Sequence, residues 1–270
     1  LPIADTAANS GQANASITSP KLSLVFGPWR DSEVYLSYGQ GFHSNDARGT
    51  VISVDPATGT PLSPVTPLVK ARGEELGLRS SLLPRWQTTL AFWRLDLDSE
   101  LTFGGDDGTT SPNRPSRRQG VEWSNEVHFT DRLTLNADLA YSTARFWVHD
   151  PIGDQIPQSI RGTAITGLSW RATDAVQLRI LDRWFGPRTL VEDGSVRSRA
   201  SNLVQAQARW KASTLLELTF DVFNLLNAQA SDIDYYYASR LPGEPAGGVD
   251  NVHLHPVAPR EWRAGVKWVF

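Results

Sequence analysis

Two histidines, three arginines and a pair of aspartates are the side chains whose spacing suggests chemistry in this chain. His253-Leu254-His255 sets two imidazoles on one side of an extended segment, with Asp234 and Asp250 in the same long connection. Neutral imidazole suits transition metals, so His253 and His255 are candidates for holding a metal or metal chelate. The plainer alternative is a packing element ahead of Pro256. Arg114, Arg117 and Arg118 cluster in another long segment, where guanidinium forks suit a carboxylate or phosphate, against the plainer alternative of a solvated loop. Asp106-Asp107-Gly108 superficially suggests a calcium loop, but the alternating ligands and closing glutamate are missing. For catalysis the chain offers no cysteine nucleophile, no Gly-x-Ser-x-Gly elbow, no His-Glu-x-x-His pair and no phosphate loop. No enzyme activity, no resident metal and no cofactor are expected.

The elements that must position these residues are strands. Hydrophobic residues make up 40% of the 270 positions, mean hydropathy is -0.31, and no apolar run approaches the roughly 18 residues of a spanning helix. A transmembrane β-barrel remains compatible with these values, because its strands give only alternate residues to lipid. A net charge of -3 speaks against a nucleic-acid partner. Period-2 alternation recurs along the chain: Val204, Ala206, Ala208 and Trp210 oppose Gln205, Gln207, Arg209 and Lys211, and Leu216, Leu218, Phe220 and Val222 oppose Glu217, Thr219 and Asp221. This pattern predicts strands over 20–28, 33–42, 69–81, 86–103, 118–129, 133–148, 160–171, 175–186, 199–211, 215–224 and 259–270, with no amphipathic helix.

The predicted connections alternate in length. Those near Arg30–Ser32, Leu82–Arg85, Thr130–Arg132, Ala172–Asp174 and Ala212–Thr214 are tight, whereas 43–68, 104–117, 149–159, 187–198 and 225–258 are long and rich in Gly, Pro, Asp and Asn. Aromatics collect at both strand ends. Trp29, Trp86, Phe129, Trp170, Trp210, Trp268 and Phe270 fall beside the tight turns; Phe42, Phe103, Trp147, Trp184, Phe223 and Trp262 fall at the opposite boundary. Two aromatic girdles flanking an apolar band fit a barrel in a bilayer, with short periplasmic turns and long extracellular loops. Asp96, Asp98, Asp138, Glu217 and Asp221 are then expected on the polar lumenal face, and the arginine cluster within reach of lipopolysaccharide phosphate.

Several stretches are similar to the barrel of TonB-dependent outer-membrane receptors: Tyr35-Leu-Ser-Tyr-Gly-Gln-Gly-Phe42, the hairpin from Glu75-Leu-Gly-Leu-Arg79 to Thr89–Asp98, Gly120-Val-Glu-Trp123, Asp221-Val-Phe-Asn-Leu-Leu-Asn227, and the terminal strand. The resemblance implies an all-β antiparallel transmembrane barrel segment of about 11 strands, within family barrels of 22. Residues 1–19 are expected as a polar loop or leader remnant and 20–270 as the C-terminal part of the barrel, without a plug. The absence of Met fits a trimmed or partial chain. Also implied are Gly265, Trp268 and Phe270 as an assembly signal read by the barrel-assembly machinery, outer-membrane lipid as surroundings in a Gram-negative bacterium, and TonB as a partner only through a plug. The expected function is energised uptake of a scarce nutrient such as a ferric siderophore, its small-molecule ligand unknown. The alternative is a passive porin or adhesion-type barrel.

Overall fold

The computed structural model of the chain describes residues 9–55, 59–104, 109–112 and 114–269, with the side chains of 101–104 and 109–112 outside the description. Eleven strands form one antiparallel sheet: β1 (Lys21–Phe26), β2 (Ser32–Ser44), β3 (Leu68–Ser80), β4 (Trp86–Leu97), β7 (Ser116–His128), β8 (Leu133–Phe146), β9 (Gly162–Arg171), β10 (Val176–Phe185), β11 (Ser201–Lys211), β12 (Leu216–Phe223) and β15 (Glu261–Trp268). Each pairs with its neighbour in that order. Among the described residues β1 and β15 pair with nothing further, so the sheet is open. All eleven expected strands are present, with ends shifted by a few residues.

The long connections carry structure that alternation does not reveal. Hairpins β5–β6 (Leu101–Gly104, Thr109–Pro112) and β13–β14 (Ser231–Ser239, Val249–Pro256) stand outside the main sheet, and a five-residue helix α1 (Ala47–Val51) lies between β2 and β3. The expected strand over 86–103 is therefore two: the β3–β4 ladder ends where Asp98 N donates to Lys70 O. In β13 the run Tyr235-Tyr236-Tyr237 hides the period, because a tyrosine stands on both faces.

Cross-strand register separates two faces. Leu36, Leu76, Phe92, Val121 and Tyr141 form one continuous row across β2, β3, β4, β7 and β8. Leu168, Ile180, Ala206, Val222 and Trp262 form another across β9 to β15. On the opposite face Glu33, Arg79, Thr89, Ser124 and Asp138 stand in line. That polar face is concave, holding a cavity of 730 Å³ lined by Glu33, Arg79, Gln87, Thr89, Glu126 and Asp138 among others. Among the described residues nothing covers the apolar face. Among the described residues Val69, Ala91, Phe146, Ile156, Leu190 and Val222 are the buried hydrophobic ones, while Leu36, Leu76, Phe92, Ile180, Val266 and many more are exposed. An uncovered apolar face of this extent marks a surface that meets another apolar surface or a membrane.

Higher on the outward face the polarity switches. Next to the Leu36–Tyr141 row, toward the long connections, comes Tyr38–Glu74–Arg94–Gln119–Thr143, followed by Gln40–Arg72–Asp96–Arg117–Arg145. Asp96 therefore faces outward, against the expectation of a lumenal position, and it accepts from both Arg94 (2.7 Å) and Arg117 (2.8 Å). Asp98 lies beyond the end of β4 and pairs with Arg72 at 3.6 Å. Asp138, Glu217 and Asp221 do lie on the concave face. Phe223 also belongs there, opposite Glu261 with the Arg263 guanidinium over its ring, rather than to the upper girdle. Trp147, Trp184 and Trp262 keep their outward positions at that boundary, whereas the Phe103 side chain and Phe270 lie outside the described residues.

The tight turns reuse one device. Thr130, Thr173 and Ser213 each accept through the hydroxyl from the two backbone N–H groups at the far side of the turn. This local bond makes Thr and Ser turn formers. The β1–β2 hairpin instead closes on Arg30 (φ 49) and Asp31 (φ 60), with paired backbone bonds between Trp29 and Ser32. Two successive positive φ values match the right-handed twist of the flanking strands.

Candidate functional site

The concave wall is the first part of the site, and its side chains come from alternate positions on every strand. On β2 to β4 it is built of small residues: Gly39 pairs with Gly73, and Tyr35 lies directly across from Gly77 with its ring filling the space a Cβ would take. Glycine there permits close approach of the aromatic ring. Above this pair a second hollow of 500 Å³ is bordered by Lys21, Glu75, Trp93 and Glu122. Charge on the wall is unevenly divided. From β1 to β8 the concave face carries Glu33, Glu75, Glu122, Glu126 and Asp138 against Lys21, Arg79 and Arg118. From β9 to β15 it carries Arg171, Arg179, Arg183, Arg209, Lys211, Arg263 and Lys267 against Glu217, Asp221 and Glu261.

The loop edge forms the second part. Three connections are cross-braced there by side chains reaching between distant segments. Arg114 donates to the Glu192 carboxylate and to Gly153 O (2.9 Å), tying the segments before β7, after β8 and after β10. Gln158 donates to Asp234 O, and Arg188 donates to Asp232 O (2.7 Å), so hairpin β13–β14 hangs on two neighbouring loops. Asn224 fixes its base by donating to Ala228 O and Ala258 O. Over β2–β3, the Asp46 carboxylate caps α1 through Arg48 N and binds the Arg48 guanidinium. These hydrogen bonds hold its pKa down at about 2. Residues near the N-terminus join this loop: Asn9 accepts from the N–H groups of Ser53 and Val54 and donates to Val54 O. In the segment after β10, the Ser195 N–H and hydroxyl lower the Asp193 pKa.

The structure disperses the candidates read from sequence. Arg117 stacks over Trp147 on the outward face while binding Asp96, and Arg118 points to the concave side, where Glu100 receives it and the Ser116 hydroxyl. Arg114 belongs to the loop brace. The three guanidiniums thus serve three carboxylates instead of converging on one space. His253 and His255 do share a face of β14, with Tyr235 and Ile233 opposite them. The His253 ring stacks on Tyr237 at 3.9 Å, and its Nε2 donates to Tyr237 O at 3.2 Å. His255 Nδ1 stands 3.7 Å from Asp232. Asp234 and Asp250 lie on the other face of the hairpin, Asp234 buried and bound by the Ser231 hydroxyl. Among the described residues no group of three His, Cys, Asp or Glu side chains is arranged to hold a metal. Asp106, Asp107 and Gly108 lie outside the described residues. Gln158, Arg188 and Glu192 were missed because nothing local marks a residue that braces a segment far away in sequence; the Tyr235–Tyr237 run was the one available signal.

This arrangement offers a hydrophilic trough, apolar outside and charged inside, beneath braced loops, which suits capture and passage of a polar ligand. No match was found among curated protein sequences. Solved structures with a similar fold include the ferric-catecholate import receptor Fiu from E. coli K12 in its closed form (TM-score 0.70, 19% identity, 93% of this chain and 34% of that one). The siderophore receptor PiuA from Acinetobacter baumannii (0.68, 13%, 92% and 35%) and the ferric yersiniabactin uptake receptor FyuA from Yersinia pestis (0.67, 16%, 93% and 37%) are also similar. The chain thus spans little more than a third of the length of these receptors. The family model for the TonB dependent receptor-like β-barrel matches residues 3–225, and the chain belongs to that family.

Proposed function

We propose that the protein takes part in TonB-energised, ligand-gated uptake of a scarce nutrient, such as a ferric siderophore, across the outer membrane of a Gram-negative bacterium. The observation that carries this reading is the concave polar wall opening beneath three cross-braced loops, in a chain of the receptor-barrel family. The loop edge faces outside and captures the ligand, and the wall guides it inward. In this reading the exposed face of Tyr235, Tyr237, His253 and His255 is the part of the rim that meets the ligand, with Arg114, Arg117 and Arg118 holding the surrounding loops. Energy arrives through a plug seated in the lumen, which contacts TonB. Residues 20–270 act as the C-terminal barrel segment, and 1–19 as a polar loop.

Gly265, Trp268 and Phe270 serve as the assembly signal for the barrel-assembly machinery. Of these, Phe270 lies outside the described residues, Trp268 is outward and exposed, and Gly265 faces Thr219 on the neighbouring strand. Uptake tests the main reading: cells with the protein at its natural length are offered ferric chelates, vitamins and saccharides, with and without TonB. TonB-dependent uptake of one class is expected. Uptake that persists without TonB would instead favour a passive barrel. Phe270→Asp should lower the outer-membrane level while synthesis is unchanged, and a normal level would remove the assembly role.

A further inference from the structure

The concave face of β9 to β11 holds a feature that the uptake reading alone does not specify. Arg179 and Arg183 sit four residues apart on β10, roughly 13 Å along the strand, both on the concave side. Their direct cross-strand neighbours are uncharged: Ser169 and Gln207 flank Arg179, and Ile165 and Leu203 flank Arg183. Several other guanidiniums on this wall have carboxylates, as in Arg79–Glu33, Arg118–Glu100, Arg209–Glu217 and Arg263–Glu261, and Arg171 donates to the backbone Asp131 O. Among the described residues neither Arg179 nor Arg183 makes an ion pair, and the buried Nε of Arg183 has no hydrogen-bond partner. Asp182 lies between them on the opposite, outward face. A guanidinium is always charged and presents a fork of donors, so a pair with no carboxylate partner among the described residues, on a concave wall, concentrates anions.

The pair is also the middle of a longer series. Arg171, Arg209 and Lys211 continue it toward the tight turns on the same face, with Arg171 opposite Gln177 and Gln177 opposite Arg209. Toward the loops, Arg188 follows β10 and donates to the β13–β14 hairpin. Positive positions repeated along the full height of a wall suit a ligand that moves, because passage needs several moderate sites instead of one tight one. A single fixed contact would need only one cluster.

We propose that the β9–β11 wall, centred on Arg179 and Arg183, is an anion track that binds small carboxylate- or phosphate-bearing ligands during passage; this deepens the uptake reading and rests on it. The protein at its natural length, solubilised in detergent, is titrated calorimetrically with citrate and with pyrophosphate, and with spermidine as the cationic control. Both anions should bind in a salt-sensitive manner and spermidine should not compete. Arg179→Gln with Arg183→Gln should weaken anion binding about tenfold or more, as loss of charge-assisted hydrogen bonds predicts. The Lys double variant should retain most of it, and Arg85→Gln, at a turn on the other half, should change nothing. A shift between boiled and unboiled samples on gels confirms that each variant is folded.

Failure of both anions to bind, binding unchanged in the Gln double variant, or equal binding of spermidine would overturn the track. Uptake by cells separates the two readings. TonB-dependent uptake that is insensitive to the Gln double variant sinks the track and leaves the receptor standing. Anion binding that depends on Arg179 and Arg183, with no TonB-dependent uptake of any ligand class, leaves the track and removes the receptor role.

Discussion

The two halves of the concave wall have the same architecture and opposite charge. From β1 to β8 carboxylates dominate, and those that meet an arginine are neutralised by it, as Glu33 is by Arg79 and Glu100 by Arg118. From β9 to β15 basic residues dominate, and among the described residues Arg179 and Arg183 have no such partner. A chain charge of -3 conceals this division. Water on the concave side demands polarity and leaves the sign free, so the sign is where function can be written without cost to folding. The outward faces differ too. The first half carries Glu74, Arg94, Asp96, Arg117 and Arg145 above its apolar rows, whereas the second keeps Leu178, Ile180, Val204 and Ala206 and admits Asp182 below Trp184.

The comparison breaks most visibly if the faces are inverted. Ile180→Arg puts a charge on the apolar face of the second half and should cost about 2–4 kcal/mol at mid-bilayer. Thr89→Arg on the concave side of the first half should cost almost nothing. Urea unfolding in liposomes measures both, and equal costs would falsify the assignment of faces.

Glycines distinguish the halves next. Gly77→Val must displace the Tyr35 ring, and overpacking of this kind costs about 1–3 kcal/mol; pairing it with Tyr35→Ala should recover part. At Gly265 a Cβ would meet the Thr219 hydroxyl, which can rotate away. Gly265→Ala should therefore be milder in the same unfolding assay, and its effect should appear in cellular assembly instead.

Asp96→Ala leaves Arg94 and Arg117 without their shared acceptor and should destabilise by about 1–3 kcal/mol. The exposed Arg263–Glu261 pair of the second half should lose under about 1 kcal/mol on Glu261→Ala. Similar losses at both sites would show that the buried acceptor of the first half is not special. The smallest effect concerns the loop over β2 and β3. The folded-state pKa of Asp46 is depressed to about 2, so its contribution is fully present at neutral pH and fades as pH falls through about 2. A carboxyl carbon titration by NMR reads this directly, and a midpoint near 4 would mean the Arg48 contacts are absent in solution.

Strand positions were legible because burial on one face and water on the other repeat every two residues. Legibility failed where that rule reverses inside a single strand. In β4 Leu90 and Phe92 face outward, yet so do Arg94 and Asp96 two and four residues on, while Trp93, Leu95 and Leu97 turn inward. The outward face itself changes from apolar to charged at that height, so local polarity no longer identifies the face. The candidate site was less legible still. His253 and His255 were found on one face, as their spacing suggested, but their acid neighbour is Asp232 and not Asp234 or Asp250. Arg114, Arg117 and Arg118, adjacent in sequence, serve three separate places.

By itself, then, the sequence determined an antiparallel sheet with one apolar and one polar face, sorted turns and loops, and aromatic boundaries, all of which follow from local periodicity. Register between distant strands decided the rest: which charges share a wall, where the outward face turns from apolar to charged, which arginines find a carboxylate and which loops brace one another. Those outcomes depend on which residues stand opposite each other across a ladder, a property that no single strand contains.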